Sequence, residues 1–291
     1  MSCSVGPTGR LSEPGMEFHG PPFLIDGHVH LHPCFDEERF FTSAAENFAA
    51  AGLVLGFEDS PCGILMLTES CGENRFADLR RRAGSREEAE LTLKATGEER
   101  SLLVALPSKR TMLVVAGRQL VTSERLEVLA LGCAVELPDG DSLEATLDRV
   151  REAEAIPVIP WGFGKWHSSR RQILVEVLKE QSPSGLFLGD NGGRAALIRK
   201  SSIFRGAAAM GIRNLPGSDP LPFAREQSRA GSFGVVFDKP LDPFRPATDL
   251  LRLLAQTAAP LQVYGTGLGT PRFVRNQVAM QIRKRSRRKQ G

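Results

Sequence analysis

Apolar positions along this chain follow two alternating rhythms. Short unbroken runs of three to six apolar residues read as buried strands, and longer stretches with apolar residues every third or fourth position read as amphipathic helices. Phe23-Leu24-Ile25 opens a strand predicted over 23–28. Residues 37–52 bring Phe40, Phe41, Ala44, Ala45, Phe48 and Ala51 to one helical face, and Gly52 ends the pattern. A strand is predicted over 64–68 and a charged helix over 74–91. Between 91 and 131 the rhythm changes. Apolar runs broken by Gly97, Pro107-Ser108 and Thr122-Ser123 predict short strands joined by hairpins, with a helix over 124–131 as the competing reading. Beyond Asp139-Gly140-Asp141, helices are predicted over 142–154, 168–181, 194–209, 246–258 and from 271. Strands are predicted over 157–160, 186–188, 212–215, 235–237 and 261–264.

Repeated alternation of strand and helix implies an α/β fold with a parallel sheet. Polar residues stand just past several strands: the histidines after the first, then Glu69, Asp190 and Asp219. In a closed barrel such strand ends share one mouth, whereas an open doubly wound sheet converges fewer of them. The expected architecture is therefore a β/α barrel, seven- or eight-stranded and distorted, with a small β-hairpin insertion. The expected organisation is a disordered segment over 1–20, one barrel domain over 21–282 and a basic tail over 283–291.

Composition changes this picture little. A hydrophobic content of 41% with 24% charged residues is that of an ordinary globular protein. No apolar run approaches the ~20 residues of a membrane span. The first twenty residues carry no apolar signal core, and the five cysteines (Cys3, Cys34, Cys62, Cys71, Cys133) form no C-x-x-C pair. Together these predict reduced thiols and a cytoplasmic protein. The net charge of +3 conceals an asymmetry: six cations fall within 283–289, and the rest of the chain is mildly acidic. Such a tail suits contact with an acidic partner.

Chemistry concentrates at the end of the first strand. The chain has five histidines, and His28, His30 and His32 lie at period two within five residues. Side chains at that period share a face of a strand, and neutral imidazole is the commonest metal ligand. Trp161-Gly-Phe-Gly-Lys165-Trp166-His167 is a second concentration, holding both tryptophans of the chain. Trp161, Lys165 and His167 are the candidates there for holding an anionic or ring-bearing small molecule. Asp219 lies in the strong turn sequence Gly217-Ser218-Asp219-Pro220, and Asp190 in Gly189-Asp190-Asn191-Gly192.

In these segments the chain resembles the polymerase and histidinol phosphatase (PHP) domains among the metal-dependent hydrolases. Asp26-Gly27-His28-Val29-His30 resembles the opening Asp-x-His-x-His element. Pro216-Gly217-Ser218-Asp219 resembles the closing Gly-Ser-Asp-x-His. Thr68-Glu69-Ser70, the strand with Gln119, the strand with Glu127 and the strand ending at Trp161 stand in order between them. The departures are specific. Gln119 replaces a bridging glutamate, and Glu127, Ser70, Trp161 and Leu221 replace histidines. The amidohydrolases are a second, equally incomplete relation, since only His167 is available as a later strand-end histidine.

The resemblance implies a reduced, mononuclear site for a divalent ion such as zinc or manganese, with His28, His30 and Asp219 as ligands and His32 as a further candidate. Asp190, Glu69 and Glu127 are the candidate general bases for a bound water. The expected activity is hydrolysis of a phosphoester or related bond. The alternative is a catalytically degenerate barrel serving as a binding or accessory protein.

Overall fold

The computed structural model describes residues 20–288, apart from 85–90, 163, 182, 184 and 196–200. The disorder expected over 1–19, parts of the helices expected over 74–91 and 194–209, and residues 289–291 of the tail lie outside the described residues.

The chain runs β1 (Phe23–Val29), α1 (Glu37–Leu55), β2 (Cys62–Leu67) and α2 (Arg75–Arg82). A meander follows: β3 (Thr92–Ala95), β4 (Ser101–Ala105), β5 (Thr111–Val115), β6 (Gly117–Val121) and β7 (Glu127–Leu131). Then come α3 (Leu143–Glu152), β8 (Ile156–Pro160), α4 (Ser168–Glu180), β9 (Phe187–Gly189), α5 (Ser202–Ala209) and β10 (Arg213–Asn214). A 3-10 helix (Ala224–Arg229) precedes β11 (Phe233–Phe237), α6 (Pro246–Gln256), β12 (Val263–Gly265) and α7 (Thr270–Arg288). α7 carries the chain helically through the first part of the basic tail.

Local signals account for the helices. Asp36 caps α1 by accepting from Arg39 N at 2.8 Å, and Gly56 closes it at φ +80°. Ser142 caps α3 in the same way. Residues 127–131, where a helix competed, form a strand because Glu127–Leu131 is hydrogen-bonded on both edges, to β6 and to β8.

The closed barrel expected from the alternation does not form. The described strands make two open mixed sheets, ordered β12-β11-β1-β2-β5-β4-β3 and β10-β9-β8-β7-β6. A barrel closes only when its end strands pair, and here β12 and β3 end one ladder and β10 and β6 the other, with no pairing between ends among the described residues. β1 gives one edge to parallel β2 and the other to antiparallel β11, and β2 gives its second edge to β5. The ladder therefore continues outward into the β5-β4-β3 meander and the β11-β12 pair. At Ala116, between β5 and β6, the chain steps from one sheet to the other. Among the described residues the sheets meet through single bridges such as Glu69 with Arg118, and through Gly27 N donating to Pro216 O at 3.0 Å.

The two sheets face one another across a common core. Phe23, Ile25, Ile64, Met66, Leu113 and Val115 from one pack with Leu129, Leu131, Val158 and Phe187 from the other, and α6 closes this layer with Leu250, Leu251 and Leu254. The opposite face of the first sheet packs on α1 through Phe40, Phe41 and Phe48. That of the second packs on α3, α4 and α5.

One irregularity matters for the site. Leu24 points to the α1 side, and so do Val29 and Leu31, although strict alternation would place odd and even positions on opposite faces. The register of β1 against β2 slips between Asp26 and Val29. This bulge reverses the parity of the strand, as bulges beside functional sites do. His28 and His30 thereby take the inter-sheet side, where they meet the turn after β10.

Candidate functional site

His28 lies at the end of β1, and His30 two residues on shares its face. His28 Nε2 and His30 Nε2 are 3.1 Å apart, and each is 3.7 Å from Asp219 Oδ1. One donor atom from each of the three lies within 4.8 Å of the others. This buried His-His-Asp group could hold a metal ion. The spacing fits, since donors of a tetrahedral zinc ion bound at 2.0–2.2 Å lie about 3.3 Å apart.

The backbone builds this convergence. Asp219 N donates to His28 O at 2.9 Å, and Asp219 takes φ +45°, a left-handed turn that Asp tolerates. Gly217 passes so close to β1 that a Cβ there would stand 2.1 Å from His28 N. Beneath the site, fully buried Asp26 ties three segments together. Its Oδ1 accepts from Ser218 N at 2.8 Å and His28 N at 3.3 Å, and its Oδ2 accepts from Gly231 N at 2.8 Å. Asn191 orients Asp219: its Oδ1 accepts from Gly193 N at 2.6 Å, which turns its Nδ2 toward Asp219 Oδ2.

Electrostatics keeps His30 and Asp219 in ligand form. Burial, then the neighbouring His28, pushes the His30 pKa down to about 3, so this imidazole is neutral near pH 7. Burial alone would raise Asp219, but His28, His30 and the Asn191 amide outweigh it and hold the carboxyl at about 2. Burial pushes Asp26 the other way, up to about 6, against the hydrogen bonds it accepts.

A cleft of about 660 Å³ opens over the group. His30, Asp219, Glu73, Glu127, Trp161 and Lys165 line it, and α7 contributes Asn276, Gln277, Gln281 and Arg283.

The other sequence candidates fall into place around it. His32 also lines the cleft but stands outside the three-residue donor group. Its Nε2 lies 3.1 Å from Pro220 O and its Nδ1 3.7 Å from Glu73 Oε1, while its ring stacks on His30. Trp161 and Lys165 face the cleft, but the Lys165 ammonium is paired with Glu127. His167 is exposed at the start of α4 and is not among the residues that line the cleft. Asp190 is buried and grips Arg194 through both oxygens at 2.9 and 3.0 Å. Glu69 is buried behind the site, accepting from Phe76 N and facing Arg118 at 3.4 Å. Of the three candidate bases, only Glu127 lines the cleft.

Sequence reasoning missed Glu73 and Asn191. Glu73 lines the cleft, and although burial opposes its ionisation, His32 and the Ser70 N–H hold it at about 2. Its only sequence signal was a place in a charged stretch shortly after a strand. Asn191 lay in a glycine-rich turn that invited a purely structural reading.

No family model and none of the curated proteins matches this chain. Among solved structures the chain is similar to PsfC from Pseudomonas syringae PB-5123, at 16% identity and a TM-score of 0.46, over 91% of this chain and 98% of that one. This likeness assigns no family. No helix among the described residues is long and apolar enough to cross a membrane.

Proposed function

We propose that this protein is a metal-dependent hydrolase with a mononuclear site, acting on a phosphoester or related bond. The observation that carries the reading is the meeting of His28, His30 and Asp219 beside a cleft that His30 and Asp219 line. These three residues would hold a divalent zinc or manganese ion. When bound, such an ion lowers the pKa of its water toward ~7 and polarises a phosphoryl or carbonyl oxygen.

The remaining roles belong to the chain. Asp219, kept ionised, supplies the negative donor, and neutral His30 supplies a nitrogen lone pair. Glu73 faces the cleft beside His32 as a carboxylate and would accept a hydrogen bond from the attacking water and so orient it. Trp161 also lines the cleft, and so does the Lys165–Glu127 pair, which can exchange partners with a substrate group.

The same geometry supports kinship with the PHP domains, because the two segments that resemble that family most are the two that meet. A binding protein without catalysis is the second reading. It is favoured by Ser70, Trp161 and Leu221, which line the cleft where that family carries histidines.

Metal analysis of protein purified without chelator tests the proposal. Wild type is expected to carry about one equivalent of zinc or manganese, and His28→Ala/His30→Ala below about a tenth. Wild-type protein equally empty after reconstitution would remove the reading. Turnover of a generic phosphomonoester, lost in the double variant, separates enzyme from binding protein.

A further inference from the structure

Part of the cleft lining belongs to α7, whose nineteen residues include no Asp or Glu. It faces the cleft with amide and guanidinium donors: Asn276, Gln277, Gln281 and Arg283. Asn276 is 1% exposed, and its Nδ2 has no hydrogen-bond partner among the described residues. The amide cannot simply be turned around, because Arg225 Nη2 donates to its Oδ1 at 3.2 Å. Buried donors of this kind are rare and call for an acceptor.

Arg283 adds charge to the same wall. Its Nη1 donates to the neutral Pro222 O at 2.7 Å, and no carboxylate among the described residues pairs with it. Lys165, the other lining cation, is neutralised by Glu127. The lining thus combines the carboxylates of Asp219 and Glu73 with an α7 guanidinium that no described carboxylate pairs and an Asn276 Nδ2 without a partner among the described residues.

We propose that Asn276 and Arg283 of α7 form an oxyanion-binding subsite, separate from the His28/His30/Asp219 group. A planar guanidinium and an amide N–H, carried seven residues apart on one helix, suit the oxygens of a phosphate or carboxylate. Combined with the hydrolase reading, on which this step rests, the substrate carries an anionic group besides the bond that is cleaved. α7 anchors that group while the reacting bond lies over the imidazoles.

Inorganic phosphate is the probe, titrated calorimetrically into the full chain after removal of metal with EDTA. Saturable binding is expected in wild type and in His28→Ala alike, weakened at least tenfold in Arg283→Gln and in Asn276→Leu. Arg283→Gln removes the charge at a half-buried position, so it keeps the test decisive should Asn276→Leu fail to fold. Absence of saturable binding, binding unchanged in Arg283→Gln, or binding lost in His28→Ala would each overturn the subsite. Because no metal is present, this outcome is independent of the metal analysis that tests the hydrolase itself.

Discussion

Asp26 governs the site without facing the cleft. A carboxyl with no exposed surface, holding the amides of His28, Ser218 and Gly231, fixes the relative positions of β1, the Asp219 turn and the approach to β11. Burial raises its pKa from 3.8 to about 6, so the folded protein binds its proton more tightly than the unfolded chain does. Stability from this group is therefore complete below pH 4 and declines as pH rises through 6. In chelator-treated protein, urea titrations between pH 4 and 6 should show wild type losing up to about 3 kcal/mol relative to Asp26→Asn, whose amide cannot ionise. Parallel pH profiles for the two proteins would disprove this. At this scale the sequence was informative where residue type itself carries chemistry. His28 and His30 were legible because imidazoles clustered at a strand end have few ordinary uses, and Asp219 through the Gly-Ser-Asp segment that resembles the closing PHP element. Glu73 and Asn191 were not, because glutamate in a charged stretch and asparagine in a turn are commonplace.

β1 shows what an element decides. Period-two spacing correctly put His28 and His30 on one face, but not on which one. The register slip between Asp26 and Val29 turns that face away from α1 and toward the second sheet. The Gly217 turn must then approach within a Cβ's reach of His28 N. Gly217→Ala should push the two segments apart, lowering stability by about 1–3 kcal/mol and weakening zinc binding at least tenfold. Equilibrium denaturation and competition with a chelating dye check both effects. Unchanged zinc affinity in a destabilised variant would show that the approach serves packing alone. Helices were easy to read, because their caps and apolar periodicity are local. The hairpins of residues 91–131 were readable for the same reason, through their turn residues. Strand partners were not, since pairing depends on segments far apart in the chain.

The whole molecule joins its two sheets by few backbone hydrogen bonds, and the candidate ligands lie on either side of that junction. His28 lies in β1 of one sheet with His30 just past its end, and Asp219 follows β10 of the other. A bound ion would therefore cross-link them. At about a hundredfold excess over its dissociation constant, zinc should raise unfolding stability by about 2.7 kcal/mol in wild type and leave His28→Ala unmoved. Thermal denaturation with and without zinc measures this, and an equal shift in both proteins would count against the site. The sequence by itself determined the alternation of elements, the helix caps, the amphipathic faces and the imidazole pair, because each depends on residues close together along the chain. Tertiary structure alone decided that the strands open into two mixed sheets. It alone brought a turn nearly two hundred residues away onto the histidines, tied up Asp190, Glu69 and Lys165 in ion pairs, and set α7 against the cleft. Those outcomes depend on how a strand's two edges are shared among distant partners and on which charges meet in the fold, and no local pattern records either.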